Sequence, residues 1–379
     1  MKALIWGAGG TAKEFYLRKM MRIRYEIVGV IDSNELLKGT CFFEYTIGSP
    51  NDISKYEYDI IIVCSLCYEE IIERLRYEFM IPVERIITYQ QLDEEICDEI
   101  IKNYENNTES DIVETLNEFR KGTTSILGAY NPPFDIFSEV LRDEEGWPYI
   151  IFQEKRMYYP FDFAFARKNG KEVVPDILYE QGEKSPHLYL PNGYTMPKGA
   201  VIVDAGVCEG NFALRFIDVA KKIYLIEADN LWMEALRRTF EPYSDKVIFV
   251  NKYLSGRDNS KEITIDSLID ERLDFLKMDI EGAEVESLLG AQRVLTSNNV
   301  QCAVCSYHRQ YDEKYIQFIL QAYGYDTRAS KGYIFFPYDE NMADTMDLRK
   351  GVIYATKTEC ISAENIILSD FSKRISTFL

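Results

Sequence analysis

VIVDAGVCEGNFALRF, residues 201–216, decides the reading of the fold. An apolar run of strand type ends at Asp204, Gly206 and Gly210 permit a tight turn, and a helical pattern follows. Such a turn lets a ligand approach the backbone, and the helix start offers free N–H groups. The next strand-like run, KIYLIEAD, ends in Glu227, 21 residues beyond Gly206. A carboxylate at that tip can accept two hydrogen bonds from a ribose diol. The turn reads D-x-G-x-x-x-G rather than G-x-G-x-x-G, with Cys208 at the middle glycine position. An adenosine-bearing ligand is expected here, with a plain tight turn and a solvated Glu227 as the alternative.

Working outward, DFLKMDIEGAE (274–284) is a strand running out at Asp279 into a helix start. Asp279 and Glu281 alternate onto one face at the carboxyl end of that strand, the edge where open α/β sheets bind ligands, while Glu284 reads as a helix-dipole partner. Strands are expected at Val201–Asp204, Ile223–Glu227, Val247–Val250, Phe275–Asp279 and Gln301–Tyr307, most followed by helical stretches. Tyr333–Phe336 and Gly351–Thr356 read as an antiparallel pair. The pattern predicts an α/β, doubly wound, mostly parallel sheet closed by one reversed strand. A smaller Rossmann-like α/β domain precedes it at 1–92, with strands Lys2–Trp6, Glu26–Ile31 and Asp59–Cys64 and helices Thr11–Met21 and Glu69–Phe79. Residues 93–125 read as an acidic helical linker, 126–357 as the larger domain, and 358–379 as a tail. Within the lead-in to the larger domain, IIFQEKRMYY and DFAFARK suggest a β-ribbon turning at Asn169-Gly170.

The chain has 379 residues, 46% apolar and 28% charged, enough for two domains with proper cores. Its net charge of −19 repels phosphate backbones and anionic lipid, so no nucleic-acid partner is expected. No apolar run approaches the roughly 20 residues of a membrane span. MKALIWGAGG passes directly into a glycine turn, which predicts a cytoplasmic chain without a signal peptide. Eight cysteines then read as reduced thiols. Two CxxC pairs occur, Cys64/Cys67 and Cys302/Cys305, but the second lies in a strand-like run where residues three apart face opposite sides. Core cysteines are expected rather than a zinc site.

VDAGVCEGNF, IEAD, TIDSL (264–268), KMDIEGAE and SYHR (306–309), in that order, resemble the FkbM-type, S-adenosylmethionine-dependent methyltransferases from about residue 195 to 340. The resemblance implies a class I methyltransferase sheet, bound S-adenosylmethionine, and methyl transfer to a hydroxyl of a sugar or natural-product scaffold. It places Asp204, Gly206 and Gly210 at the methionine end, Glu227 at the ribose and Asn251–Tyr253 beside the adenine. Asp279 falls nearest the transferring methyl. Asn211, Ala228, Lys252 and Tyr253 complete the implied cofactor-binding set.

An alcohol becomes a good nucleophile only as its proton leaves, so a positioned base is expected. The histidines are His187 and His308. His187, in the loop EKSPHLYL, reads as a surface residue. His308 ends the strand after the Asp279 strand, on the same edge, and is the candidate base; Asp279 is the alternative, or a Mg²⁺ ligand together with Glu281.

KALIWGAGGTAKEF (2–15) holds a second glycine turn: Gly7, Gly9 and Gly10 with Ala12 fit G-x-G-x-x-A, and VGVIDSN places Asp32 where a ribose-binding acid belongs. Residues 1–90 resemble the small N-terminal Rossmann-type domains of sugar-modifying transferases. A sugar nucleotide, NAD, or no ligand at all remain open for this domain.

The combined expectation is a two-domain O-methyltransferase acting on a sugar hydroxyl of a small molecule or glycan, in surface-polysaccharide synthesis. An NAD-dependent sugar oxidoreductase and a non-catalytic nucleotide-sensing scaffold are the alternatives. A homo-oligomer stays open. The aromatics Tyr130, Phe134, Trp147, Tyr149, Tyr158, Tyr159 and Phe161 form either a substrate platform or packing between domains.

Overall fold

The computed structural model describes residues 1–17, 24–65, 67–122, 126–130, 136–168, 170–175, 179–336, 338–339 and 341–357. The end of the first predicted helix, Phe134, Asn169 and the tail from 358 lie outside the described residues. The chain forms two compact units, one of residues 1–129 with 335–348, the other of 130–334 with the chain from 349.

In the first unit the order is β1 (Lys2–Trp6), α1 (Gly10–Leu17), β2 (Glu26–Ile31), β3 (Cys41–Phe42), β4 (Tyr45–Gly48), β5 (Ile60–Val63), α2 (Tyr68–Tyr77), β6 (Ile86–Thr88), α3 (Tyr89–Asn103) and α4 (Ser110–Arg120). The sheet runs β3-β4-β2-β1-β5-β6, parallel except for β3. Strands β1 and β5 are near-continuous apolar runs because both faces are covered: Ala3 and Ile5 pack into one core, Leu4 and Trp6 into the other. Helices α3 and α4 lie in the stretch read as an acidic linker and fall inside this unit. Thr88 caps α3 reciprocally with Gln91. Arg24 pairs with Glu95 and Glu99 on its acidic face. Phe335 and Leu348 belong here too: the Phe335 N–H donates to Ile126 O at 2.9 Å, and the Leu348 N–H to the Tyr104 hydroxyl at 3.1 Å.

The second unit opens with short antiparallel strands, β7 (Phe137–Glu139), β8 (Leu141–Arg142), β9 (Pro148–Phe152), β10 (Lys155–Tyr158), β11 (Ala166–Lys168) and β12 (Lys171–Pro175). They make two three-stranded sheets, β10-β9-β8 and β11-β12-β7, where one ribbon was expected. The additional hairpin turns at Gln153-Glu154, both with positive φ, as a two-residue type I′ turn requires.

The main sheet is built from β13 (Ala200–Ala205), α5 (Asn211–Phe216), β14 (Ala220–Ile226), α6 (Asn230–Thr239), β15 (Val247–Val250), a small pair β16 (Tyr253–Leu254) and β17 (Glu262–Ile263), α7 (Ile265–Leu268), β18 (Phe275–Met278), α8 (Glu284–Leu289), α9 (Gln292–Ser297), β19 (Gln301–Cys305), α10 (Asp312–Ala322), β20 (Asp326–Ala329) and β21 (Val352–Thr356). Its order is β15-β14-β13-β18-β19-β21-β20, with β21 antiparallel to both neighbours. Cys302 and Cys305 on β19 enter opposite cores. The reversed strand pairs with β20, not with Tyr333–Phe336, which contributes only the bridge of Ile334 to Arg349. β20 reads DTRA, a half-exposed edge without an apolar signal, while Phe335 leaves for the first unit.

Gly7 turns β1 toward α1 with φ +120°, and a Cβ there would lie 2.3 Å from Cys64 O; at Gly9 a Cβ meets nothing within 4 Å. Gly7→Ala should therefore destabilise the first unit by more than about 2 kcal/mol, and Gly9→Ala by less than about 0.5 kcal/mol. Thermal unfolding of the two variants checks this; equal losses would contradict the packing described.

Candidate functional site

The carboxyl ends of β13, β14 and β18 meet around a cavity of about 710 Å³. Gly206, which follows β13, has φ +71°, and a Cβ on it would lie 1.7 Å from Asp279 O. Only glycine lets the two strand tips approach this closely. Gly206, Asn211, Glu227, Ala228, Lys252, Tyr253, Asp279 and Glu281 all line the cavity. Glu227 is held by the turn itself: its Oε2 accepts from the Cys208 N–H at 3.1 Å and its Oε1 from the Asp229 N–H at 2.9 Å. Each oxygen keeps further acceptor capacity, and Glu227 lines the cavity. The Asn251 side chain is spent on the carbonyls of Glu227 and Ala228, which fastens the β14 tip rather than lining the cavity. Gly210 also stands apart. It precedes α5 with φ +83°, and a Cβ would meet Leu236 at 2.8 Å and Phe240 at 2.9 Å, so it is a glycine of helix packing.

Asp204 lies behind the cavity wall, fully buried, with Lys277 Nζ at 3.2 Å from its Oδ1. Lys277 also donates to Gly206 O at 2.6 Å and crosses the Tyr189 ring at 5.2 Å. Burial alone would lower the Lys277 pKa, but Asp204 and Asp279 outweigh it and keep the ammonium charged above its ordinary value. Lys277 was not singled out from sequence. The signal was a lysine inside FLKM, a fully buried strand where a charge must be paired.

Asp279 is the hub. Its Oδ2 accepts from the Tyr189 hydroxyl at 2.6 Å and its Oδ1 from the Tyr307 hydroxyl at 3.2 Å. His187 Nε2 lies 3.3 Å from Oδ2, and His308 Nε2 3.4 Å from Oδ1. His187 corrects the surface reading: it is 6% exposed, with Glu180 Oε2 3.2 Å from its Nδ1, and it lines the cavity. His308 sits behind Asp279, outside the cavity lining, with Nδ1 2.9 Å from Glu284 Oε1. Glu284 is thus a buried partner of His308 rather than a solvated dipole partner, and it also accepts from the Ile280 N–H at 2.9 Å. Burial would lower both imidazole pKa values, yet the surrounding carboxylates raise each to about 9. Burial would raise the Asp279 carboxyl, but the His187 contact, with His308 and Lys277, holds it well below the usual range.

Glu281 has φ +56° and a side chain 86% exposed, at the rim of the same cavity as Asp279. The groups that could ligate a metal among the described residues are His187, Asp279 and Cys305, and Asp279, Glu284 and His308. In the first unit, Asp32 Oδ2 accepts from the Ala8 N–H at 2.7 Å, and Oδ1 from the Asn34 N–H at 2.7 Å. Gly7 and this clamp repeat the Gly206–Glu227 arrangement, with open space over Gly9 and Gly10. Of the aromatics, Tyr149, Tyr158 and Tyr159 are buried, whereas Phe161 is exposed against Trp147.

A sheet of this order, with one reversed strand and a cavity across the tips of its first, second and fourth strands, is the class I methyltransferase fold. Residues 243–334 match the family model described as Methyltransferase FkbM domain, and residues 1–87 the one described as C2185-like, N-terminal. Within the second unit, residues 243–334 therefore carry an FkbM methyltransferase domain, which supports a methyltransferase of the S-adenosylmethionine-dependent kind. Among solved structures it is similar to methyltransferase FkbM from Methylobacillus flagellatus KT, with 15% identity over 93% of this chain and 89% of that one, TM-score 0.48. It is also similar to precorrin-6y C5,15-methyltransferase from Geobacter metallireducens GS-15, with 15% identity over 52% and 95%, TM-score 0.32. A Streptococcus mutans protein in complex with SAH is 13% identical over 43% and 90%, TM-score 0.29. No curated protein matches in sequence. No helix among the described residues is long and apolar enough to cross a membrane.

Both imidazole pKa values are raised above the ordinary 6.5, so the stability they contribute is full below about pH 6.5 and fades as pH rises through about 9. Histidine NMR titrations should show two midpoints near 9, with melting temperature falling over the same interval. A midpoint near 6.5 for either ring would contradict its ion pairs.

Proposed function

We propose that the chain is an O-methyltransferase acting on a sugar hydroxyl, in the cytoplasm, during synthesis of a surface polysaccharide or related glycan. The observation that carries the chemistry is Asp279 at the cavity wall, ringed by two phenols and two imidazoles. That set suits a hydroxyl whose proton must leave, and would serve an apolar acceptor poorly.

The cavity fits the cofactor: its volume lies in the range of small-molecule sites, the Gly206 turn admits close approach, and Glu227 is pre-set for a diol. S-adenosylmethionine supplies an electrophilic methyl on a sulfonium centre. Asn211 and Gly206 would hold its methionine end. Glu227 and Ala228 would hold the ribose, and Lys252 and Tyr253 would flank the adenine. Asp279 sets a negative charge where a sulfonium is stabilised and accepts the hydrogen bond of the acceptor hydroxyl. Asp279 would pass that proton on to His308, seated behind it, when the ring is neutral, and Glu284 fixes that ring.

For the first unit, the Asp32 clamp and the open Gly9–Gly10 turn favour a nucleotide ligand, a sugar nucleotide or NAD. Equilibrium dialysis of the full chain with each compound, with Gly9→Val as the comparison, tests that assignment.

Calorimetry with S-adenosylhomocysteine should show binding that Glu227→Ala weakens by about 1–3 kcal/mol. His308→Asn should lower turnover about 10²–10⁴-fold with nearly unchanged cofactor affinity, and the wild-type rate should rise with pH toward about 9. Asp279→Asn should weaken cofactor and reaction together. Near-wild-type turnover by His308→Asn, with labelled cofactor and with or without EDTA, would transfer the base role to Asp279, Glu281 or a metal-bound water.

A further inference from the structure

A second cavity of about 320 Å³ adjoins the first, sharing Glu180, Glu209 and Asn211 with it. Its other wall is aromatic. Tyr159, Phe163 and Phe165 form a contiguous cluster, with ring centroids 5.0–5.4 Å apart, and Trp232 backs Phe163 at 5.6 Å. Phe163 is exposed although it belongs to this cluster.

Two features of the wall call for a ligand. The Tyr159 hydroxyl is buried without a hydrogen-bond partner among the described residues, on a residue 1% exposed that lines the cavity. A buried orphan hydroxyl is costly unless something satisfies it part of the time. The two carboxyl side chains, Glu180 and Glu209, sit at the junction with the cofactor cavity, and no Lys, Arg or His lines the second cavity among the described residues. Burial pushes the Glu209 carboxyl up, and either protonation state can bond a hydroxyl.

We infer that this cavity is the acceptor subsite and that it takes one ring of an uncharged or amino-bearing saccharide, not a phosphorylated or uronic one. The inference rests on the methyltransferase reading above and narrows its substrate. A pyranose offers a C–H face to Phe163 and Phe165, and a rim of hydroxyls to Tyr159, Glu180 and Glu209. A phosphate or carboxylate placed there would meet Glu180 and Glu209, with no cationic side chain among the described lining residues. Glu180 ties the subsite to the chemistry, because the same carboxylate holds His187 beside Asp279.

The test uses the full chain saturated with S-adenosylhomocysteine, titrated with methyl glycosides of neutral, amino and uronic sugars, a sugar phosphate, and a simple phenol. At least one neutral or amino glycoside should bind, and Tyr159→Phe and Phe163→Ala should each weaken it about tenfold or more. Tyr159→Phe should meanwhile leave the melting temperature of the ligand-free protein unchanged or raise it, since it removes an unsatisfied buried hydroxyl, and should leave S-adenosylhomocysteine affinity within about twofold. Glycoside binding insensitive to both variants would overturn the location. Preference for the uronic sugar, the phosphate or the phenol, or no glycoside binding to the loaded protein, would overturn the substrate class. Failure of the wild type to bind S-adenosylhomocysteine would instead remove the reading on which the subsite depends.

Discussion

Asp279 is held to the tip of β13 through its backbone and to four side chains through its carboxylate, and the cavity of the second unit is organised around both attachments. Its N–H donates to Ala205 O at 3.1 Å while its own carbonyl crowds the face of Gly206. The tips of β13 and β18 are thereby locked together, which gives the cavity a rigid floor. From that floor the carboxylate meets groups from the lead-in loop (His187 and Tyr189) and from the end of β19 (Tyr307 and His308). Two segments far apart in sequence converge on two oxygen atoms.

The charges around Asp279 form a network rather than isolated pairs. Lys277, His187 and His308 bring positive charge into a region where Asp204, Asp279, Glu180 and Glu284 are already present. Most of these groups are buried, so removing one leaves a desolvated partner in an uncompensated field. A dry charged cluster of this kind is weak evidence for stability and stronger evidence for function, since packing alone would be served better by apolar residues.

The parts of this arrangement legible in the sequence were those that follow from strand tips. Glu227 and Asp279 end apolar runs, so their place at one sheet edge follows from the α/β pattern. The rest depended on contacts that no local period encodes. His187 sits in a loop positioned by Ser185 and Gln181 side chains, and its neighbour Tyr189 meets Asp279 across 90 residues. Glu284 looked like an ordinary first-turn acid because the burial that pairs it with His308 arises from tertiary packing. β20 escaped notice because a short polar edge strand has no apolar alternation to detect, and the aromatic Tyr333–Phe336 offered a better-looking strand one loop later.

The passage of residues 335–348 through the first unit bears on how the chain comes to be folded. Those residues lie between β20 and β21, so the first unit is discontinuous and draws part of itself from a point near the far end of the polypeptide. During synthesis the sheet of residues 1–88 can assemble early, but Phe119 waits for Phe335 until most of the methyltransferase sheet has been made. A break anywhere near residue 130 would not release two whole domains: the amino-terminal piece would lack its late-made segment. Inheritance of the two halves is tied by the same thread, because exchanging either one for a foreign domain would have to preserve that loop as well.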